Sequence, residues 1–216
     1  MPDFVYEYAL VARGFGRVAG VDEAGRGPLA GPVAAAAVIL PRPFSCPLLN
    51  DSKKLTKKRR DLLYAEITGN PAVVWAVAMV GPEEIDRINI LRATHLAMGR
   101  ALEALSKKPD IALIDGLPVK GLSMPHEALV KGDGLSLSIA AASVIAKVTR
   151  DRFMERIDQE FPEYGFARHQ GYGTRAHLEA LRTHGPCRHH RRSFQPVSQL
   201  SLPLGDGSER REEMDG

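Results

Sequence analysis

The stretch RVAGVDEAGRGPLAGPVAAAAVIL (17–40) sets two apolar runs on either side of a turn rich in glycine and proline. RVAGVD (17–22) has the length and composition of a buried strand, and PVAAAAVIL (32–40) those of a second, ended by Pro41 and Pro43. Pro28, Gly31 and Pro32 make a hairpin-like connection between them. The first run closes on two adjacent carboxylates, Asp22 and Glu23, followed by an arginine held between glycines, Gly25-Arg26-Gly27. Acid and base crowded into a glycine-rich turn pack poorly, so the segment serves something other than stability.

Outward from this hairpin the pattern alternates. TKKRRDLLYAEI (56–67) reads as a surface helix capped by Thr56, and AVVWAVAMV (72–80) as a third strand. GPEEIDRINILRATHLAMGRALEAL (81–105) predicts helix with a break near Asn89. A short apolar run, 111–114, ends in Asp115-Gly116, and EALVKGDG (127–134) is a weaker strand candidate that reaches Asp133. Ser136 to Phe161 predicts one long helix whose start is rich in Ala and Ser and suits close backbone approach; a last helix, Thr174 to His184, stops at Gly185-Pro186. Residues 1–16 fit a short helix or an arm. The sum is an α/β domain with a mixed sheet of about five strands flanked by helices, plus a C-terminal helical segment. Residues 1–194 are expected to form it, with 195–216 a disordered tail.

At 216 residues, 44% hydrophobic and 25% charged, the chain suits one globular domain. No apolar run approaches the roughly 20 residues that span a bilayer. The N-terminus lacks the basic region of a secretory signal. Cys46 and Cys187 stand apart in no paired motif, which favours a reducing compartment and a cytoplasmic location. The net charge is +3, but residues 205–216 contribute −3, leaving +6 on residues 1–204 with basic clusters at KKLTKKRR (53–60) and RHHRR (188–192). Such a body suits a polyanionic partner, although basic runs are more often plain solvated faces.

Four acids, Asp22, Glu23, Asp115 and Asp133, stand at or just beyond apolar segments. Strand ends meet where open α/β folds bind ligands. Carboxylates drawn together there raise one another's pKa unless a cation joins them. Oxygen donors without His or Cys select Mg²⁺ or Mn²⁺ over zinc, and a pair of such ions suits phosphodiester hydrolysis. Adjacent strand residues point to opposite faces, so Asp22 and Glu23 share a site only if the strand ends or twists there. Gly25-Arg26-Gly27 offers unobstructed backbone N–H groups to a phosphate or sugar hydroxyl, and Arg26 adds a charged fork. Lys53 and Lys54 are candidate phosphate contacts. Ser143 and Lys147 share a face of the long helix and either reach phosphate or support the pocket. The spacing of His184, Cys187, His189 and His190 matches no common zinc site.

DEAGRGPLAGPV (22–33), NDSKKL (50–55), LIDG (113–116), VKGD (130–133), AAASVIAKVTRDR (140–152) and HQGYGT (169–174) occur in this order. Together they resemble bacterial ribonuclease HII over residues 18–194. The resemblance implies a ribonuclease H-like fold and an endonuclease that hydrolyses RNA paired with DNA. It implies cutting 5′ of single ribonucleotides in duplex DNA, by a two-metal mechanism with Mn²⁺ or Mg²⁺, leaving 3′-hydroxyl and 5′-phosphate ends. Carried over, Asp22, Glu23, Asp115 and Asp133 hold the metal ions, with Asp133 the fourth active-site carboxylate. Gly25, Arg26 and Gly27 become readers of the 2′-hydroxyl and nearby phosphates, and Tyr172 the aromatic that stacks at the RNA–DNA junction. The related ribonuclease HIII, with its added N-terminal domain, fits the 21 residues before Asp22 less well.

Two rivals stay open: another ribonuclease H-like nuclease, such as a junction-resolving enzyme, and a hybrid-binding protein without catalysis. Four acids speak against the second, since mere binders need lysine and arginine. A monomer is expected. QLSLPL (199–204) in the tail is a candidate docking peptide for a replication partner, against the simpler expectation of a disordered end.

Overall fold

A computed structural model describes residues 2–46, 49 and 55–200. The sheet is formed by β1 (Val18–Ala24), β2 (Val33–Ile39), β3 (Val74–Val80), β4 (Ile111–Asp115) and β5 (His126–Leu129), in the order β3-β2-β1-β4-β5. β1, β2 and β3 form an antiparallel meander, while β4 and β5 join β1 in parallel, so the sheet is mixed as expected. β1 runs to Ala24, two residues past its expected end. β5 stops at Leu129, and Gly132–Gly134 forms a 3-10 turn instead of continuing the strand.

Strand alternation divides the core into two layers. Ala19, Val21, Val33, Ala35, Ala37, Ala112 and Ile114 face α3 (Pro82–Ile88) and α4 (Ile90–Glu103), packing on Ile85, Ala93, Ala97 and Met98. The predicted break between these helices falls at Asn89, which adopts φ +69° and caps α4 by accepting from the N–H of Arg92. Ala36 and Val38 face the other way, toward α2 (Lys57–Gly69) and α5 (Leu137–Glu160).

The alanine-rich start of α5 lies almost on the strand beneath it. A Cβ on Gly20 would fall 2.1 Å from the backbone carbon of Ser138, so only glycine fits β1 there. Ser136 caps α5 by accepting from Ile139 N–H, and Glu7 of α1 (Val5–Ala12) accepts from Ser138 N–H and Ser136 Oγ. A carboxylate at a helix N-terminus opposes the dipole favourably.

The far half of α5 meets α6 (Phe166–His169), α7 (Arg175–His184) and α8 (Val197–Leu200) in a cluster that includes Leu29, Met154, Phe166 and Leu181. The helical extension was expected to finish at 194, yet Val197 is fully buried in this cluster. Val197 is followed by half-buried Ser198 and exposed Gln199 and Leu200, so one anchoring side chain leaves no clear period in the sequence.

Candidate active site

Parallel pairing decides which acids meet. Val21 of β1 lies in register with Ile114 of β4, so the next step along both strands sets Asp22 beside Asp115 at the same sheet end. Both belong to the α5 side of the sheet, since Val21 and Ile114 face α4. Glu23 is nevertheless part of the same cavity, because the strand finishes one residue later and the cavity wraps its end. The alternation problem is thus solved by position at the strand terminus.

The cavity has a volume of about 410 Å³, and its lining includes Asp22, Glu23, Asp115, Tyr172 and the turn 25–27. Two other clefts beside α4, of about 550 and 700 Å³, hold no such gathering of carboxylates, so size alone does not single out the site. Ser143 and Lys147 of α5 and Arg60 of α2 complete the wall. Lys147 is paired with Asp151 one helical turn on, at 2.7 Å. Arg60 had no individual signal within the KKRR run; only the placement of α2 against α5 brings it here.

Asp22 is 4% exposed. Burial first, then the charges of Glu23 and Asp115, push its pKa well above the usual carboxylate value, against hydrogen bonds from Glu23 N–H and Ser143. Glu23 is raised too, chiefly by burial, with Arg26 pulling the other way across a 3.3 Å ion pair. Asp115 Oδ1 accepts from Gly132 N–H at 2.6 Å, which ties it to the turn carrying Asp133. Asp133 is itself buried in that turn and does not line the cavity.

The donor set suits a hard divalent cation: oxygen ligands from Asp22, Glu23 and Asp115, with mutual repulsion for a cation to relieve. Among the described residues no three His, Cys, Asp or Glu side chains are already drawn into a ligand cage. Charge, rather than a preformed cage, is what would draw an ion in.

Tyr172, 47% exposed, sits on the loop between α6 and α7 opposite the glycine turn. A Cβ on Gly27 would lie 3.6 Å from its ring. Gly25 has φ +95°, and a Cβ there would collide with the Arg150 side chain at 2.0 Å. The turn therefore needs glycine at 25 for its backbone, while glycine at 27 keeps space before the tyrosine. Lys53 and Lys54 lie outside the described residues.

The basic cluster RHHRR divides between surface and core. Arg188 and Arg192 are exposed, whereas His190 and Arg191 are buried at 2% and 0%. His190 is hydrogen-bonded to His177 and accepts from the N–H of Cys187.

Comparison with known proteins agrees with this architecture. The family model described as Ribonuclease HII matches residues 19–197. Ribonuclease HII of Cereibacter sphaeroides is 57% identical over 201 residues, covering 92% of this chain and 93% of its own. Among solved structures, ribonuclease H2 from Pyrococcus horikoshii OT3 superposes with a TM-score of 0.72 at 29% identity, covering 85% of this chain and 96% of its own. RNase HII from Archaeoglobus fulgidus, in a complex with PCNA, gives 0.69 at 28% identity, covering 83% and 95%.

Proposed function

The chain belongs to the ribonuclease HII family, and we propose that it cuts at ribonucleotides in duplex DNA through the cavity at the end of β1. Family membership makes it a hydrolytic nuclease with ribonuclease H activity on RNA–DNA hybrids. Its fold is ribonuclease H-like. The observation that carries the finer reading is the side-by-side placement of Asp22 and Asp115 in a cavity shared with Gly25, Arg26, Gly27 and Tyr172.

In this proposal Asp22, Glu23 and Asp115 hold Mn²⁺ or Mg²⁺, and Asp133, expected as a fourth metal ligand, is carried on the turn whose Gly132 N–H donates to Asp115. When bound, two such cations supply charge stabilisation at the attacking water and at the leaving 3′ oxygen, giving 3′-hydroxyl and 5′-phosphate ends. The remaining work falls to the chain. Backbone N–H groups of the glycine turn meet the 2′-hydroxyl and adjacent phosphate, and Arg26 steadies a phosphate oxygen. The Tyr172 ring packs on the following sugar, where a deoxyribose leaves room. Each hydrogen bond lost on an all-DNA duplex costs about 1–3 kcal/mol, so a few together exclude it.

Every residue named here comes from one chain, so a monomer suffices. The Archaeoglobus fulgidus relative is seen with PCNA; by analogy the C-terminal tail that follows α8 is proposed as a contact for a replication partner. A cytoplasmic location belongs with the same proposals, and no helix among the described residues is long and apolar enough to cross a membrane.

One assay tests the proposal. Duplex DNA with a single ribonucleotide is incubated with and without Mn²⁺, beside an all-DNA duplex and a four-way junction. Cleavage 5′ of the ribonucleotide, only with metal and only on the first substrate, is expected. Cutting of the junction, or none of the ribonucleotide duplex, overturns it.

A further inference from the structure

Residues 189–191 pair with the glycine-rich loop, while Arg188 and Arg192 on either side face solvent. Ala30 and His190 form an antiparallel bridge, with Gly31 N–H donating to His189 O and Arg191 N–H to Leu29 O, both at 2.8 Å. From this bridge the Arg191 guanidinium turns inward. It donates to three backbone carbonyls: Gly25 at 2.5 Å, Arg26 at 2.9 Å and Gly31 at 3.0 Å. A trans peptide aims its N–H opposite to its C=O. Holding the carbonyls of Gly25 and Arg26 therefore aims the N–H groups of Arg26 and Gly27 away from Arg191. A full positive charge on those carbonyls also polarises the donors beyond them.

The neighbouring residue reaches the other side of the cavity. Cys187 N–H donates to His190 Nδ1 at 3.0 Å, which leaves the proton of that neutral ring on Nε2. His190 Nε2 stands 3.0 Å from His177 Nε2, and His177 Nδ1 stands 2.9 Å from the Tyr172 carbonyl. One assignment satisfies all three contacts: His190 donates to His177, and His177 donates to Tyr172. Consecutive residues, His190 and Arg191, thus hold the two faces of one cavity.

We propose that Arg191, with His190 acting through His177, positions the glycine turn and Tyr172 relative to each other and so sets how tightly the enzyme engages a ribonucleotide. The proposal rests on the assignment of these two elements as substrate readers. Arg191 and the histidines touch no substrate; they are positioning residues. The fork explains why arginine stands at 191, since a single ammonium cannot bridge three carbonyls in fixed directions.

Steady-state cleavage of the single-ribonucleotide duplex tests this with Arg191→Lys, His177→Leu and His177→Asn. Arg191→Lys and His177→Leu are expected to raise KM roughly tenfold, the scale of one or two lost hydrogen bonds, with kcat changed far less. His177→Asn, whose amide N–H stands where Nδ1–H does, should recover most of the wild-type KM. A purely structural role would reduce the active fraction, lowering apparent kcat at constant KM, and that pattern overturns the proposal. If Arg191→Lys does not melt cooperatively, the His177 pair decides: raised KM for Leu with rescue by Asn supports it, and wild-type KM for both sinks it. The wild type run alongside separates the layers. If it fails to cut the ribonucleotide duplex, the proposed function falls and takes this inference with it.

Discussion

Asp22 and Asp115 stand abreast because their strands run parallel, in register at the preceding pair Val21 and Ile114. An antiparallel pairing of β1 and β4 would have sent these acids to opposite ends of the sheet. Topology, then, assembles a charge cluster from residues 93 positions apart. That cluster has a cost without a cation.

Asp22→Asn should stabilise the cation-free protein at neutral pH. The folded-state pKa of Asp22 is raised, so the folded chain holds its proton more tightly than the unfolded chain does. Stability from this group is full below the unfolded carboxylate range and is lost as pH rises through the folded value. Thermal melts without divalent ions should show a higher midpoint for the variant at pH 7 than for wild type. Added Mn²⁺ should raise the wild-type midpoint and leave the variant's nearly fixed.

Arg26→Ala and Asp115→Asn should fail in different ways. Arg26 is half-exposed beside Glu23 and carries no ligand oxygen. Its removal should raise KM with Mn²⁺ affinity retained, as measured by calorimetric titration. Asp115→Asn should weaken Mn²⁺ binding and lower kcat by roughly a hundredfold or more, the scale of losing one charge-stabilising group, while duplex binding persists.

The two glycines of the turn should separate folding from function. Gly25→Ala forces a Cβ into the Arg150 side chain at φ +95° and should destabilise the protein by at least about 1–3 kcal/mol in denaturant unfolding. Gly27→Ala meets only the Tyr172 ring at ordinary contact distance, so its unfolding curve should match wild type. Its KM should rise, because the methyl narrows the gap a sugar must enter.

Acid should loosen the C-terminal segment. Burial, with the other charges nearby, pushes His177 down to about 4 and His190 down to about 3. The titratable and charged groups facing them include His169, His189 and Arg192. Unfolded histidines bind protons near pH 6.5, so the unfolded state takes up more protons below that point and stability falls as pH drops from about 6.5 toward 4. Replacing His177 by Leu should flatten this part of the stability–pH curve.

Strand ends that close on acids made Asp22, Glu23 and Asp115 candidates, and composition made the Gly-Arg-Gly turn another. It took the ordered set of segments, six in all, to join them with Tyr172 into one expected site. What escaped depended on distant pairing. Whether Asp133 lined the cavity hung on where β5 stopped, which four half-buried residues do not announce. Arg191 was indistinguishable from its exposed neighbours within RHHRR, because its burial comes from the bridge between Ala30 and His190. Local periodicity carries no trace of a contact made across 160 residues.

The span between Arg191 and the turn it grips also orders events during synthesis. The carboxylates at 22, 23 and 115 leave the ribosome well before residue 191 does. A nascent chain, or one cut short near 186, carries those acids but lacks the guanidinium that occupies the carbonyls of Gly25 and Arg26. Synthesis past residue 191 is thereby built into the finished geometry of the turn.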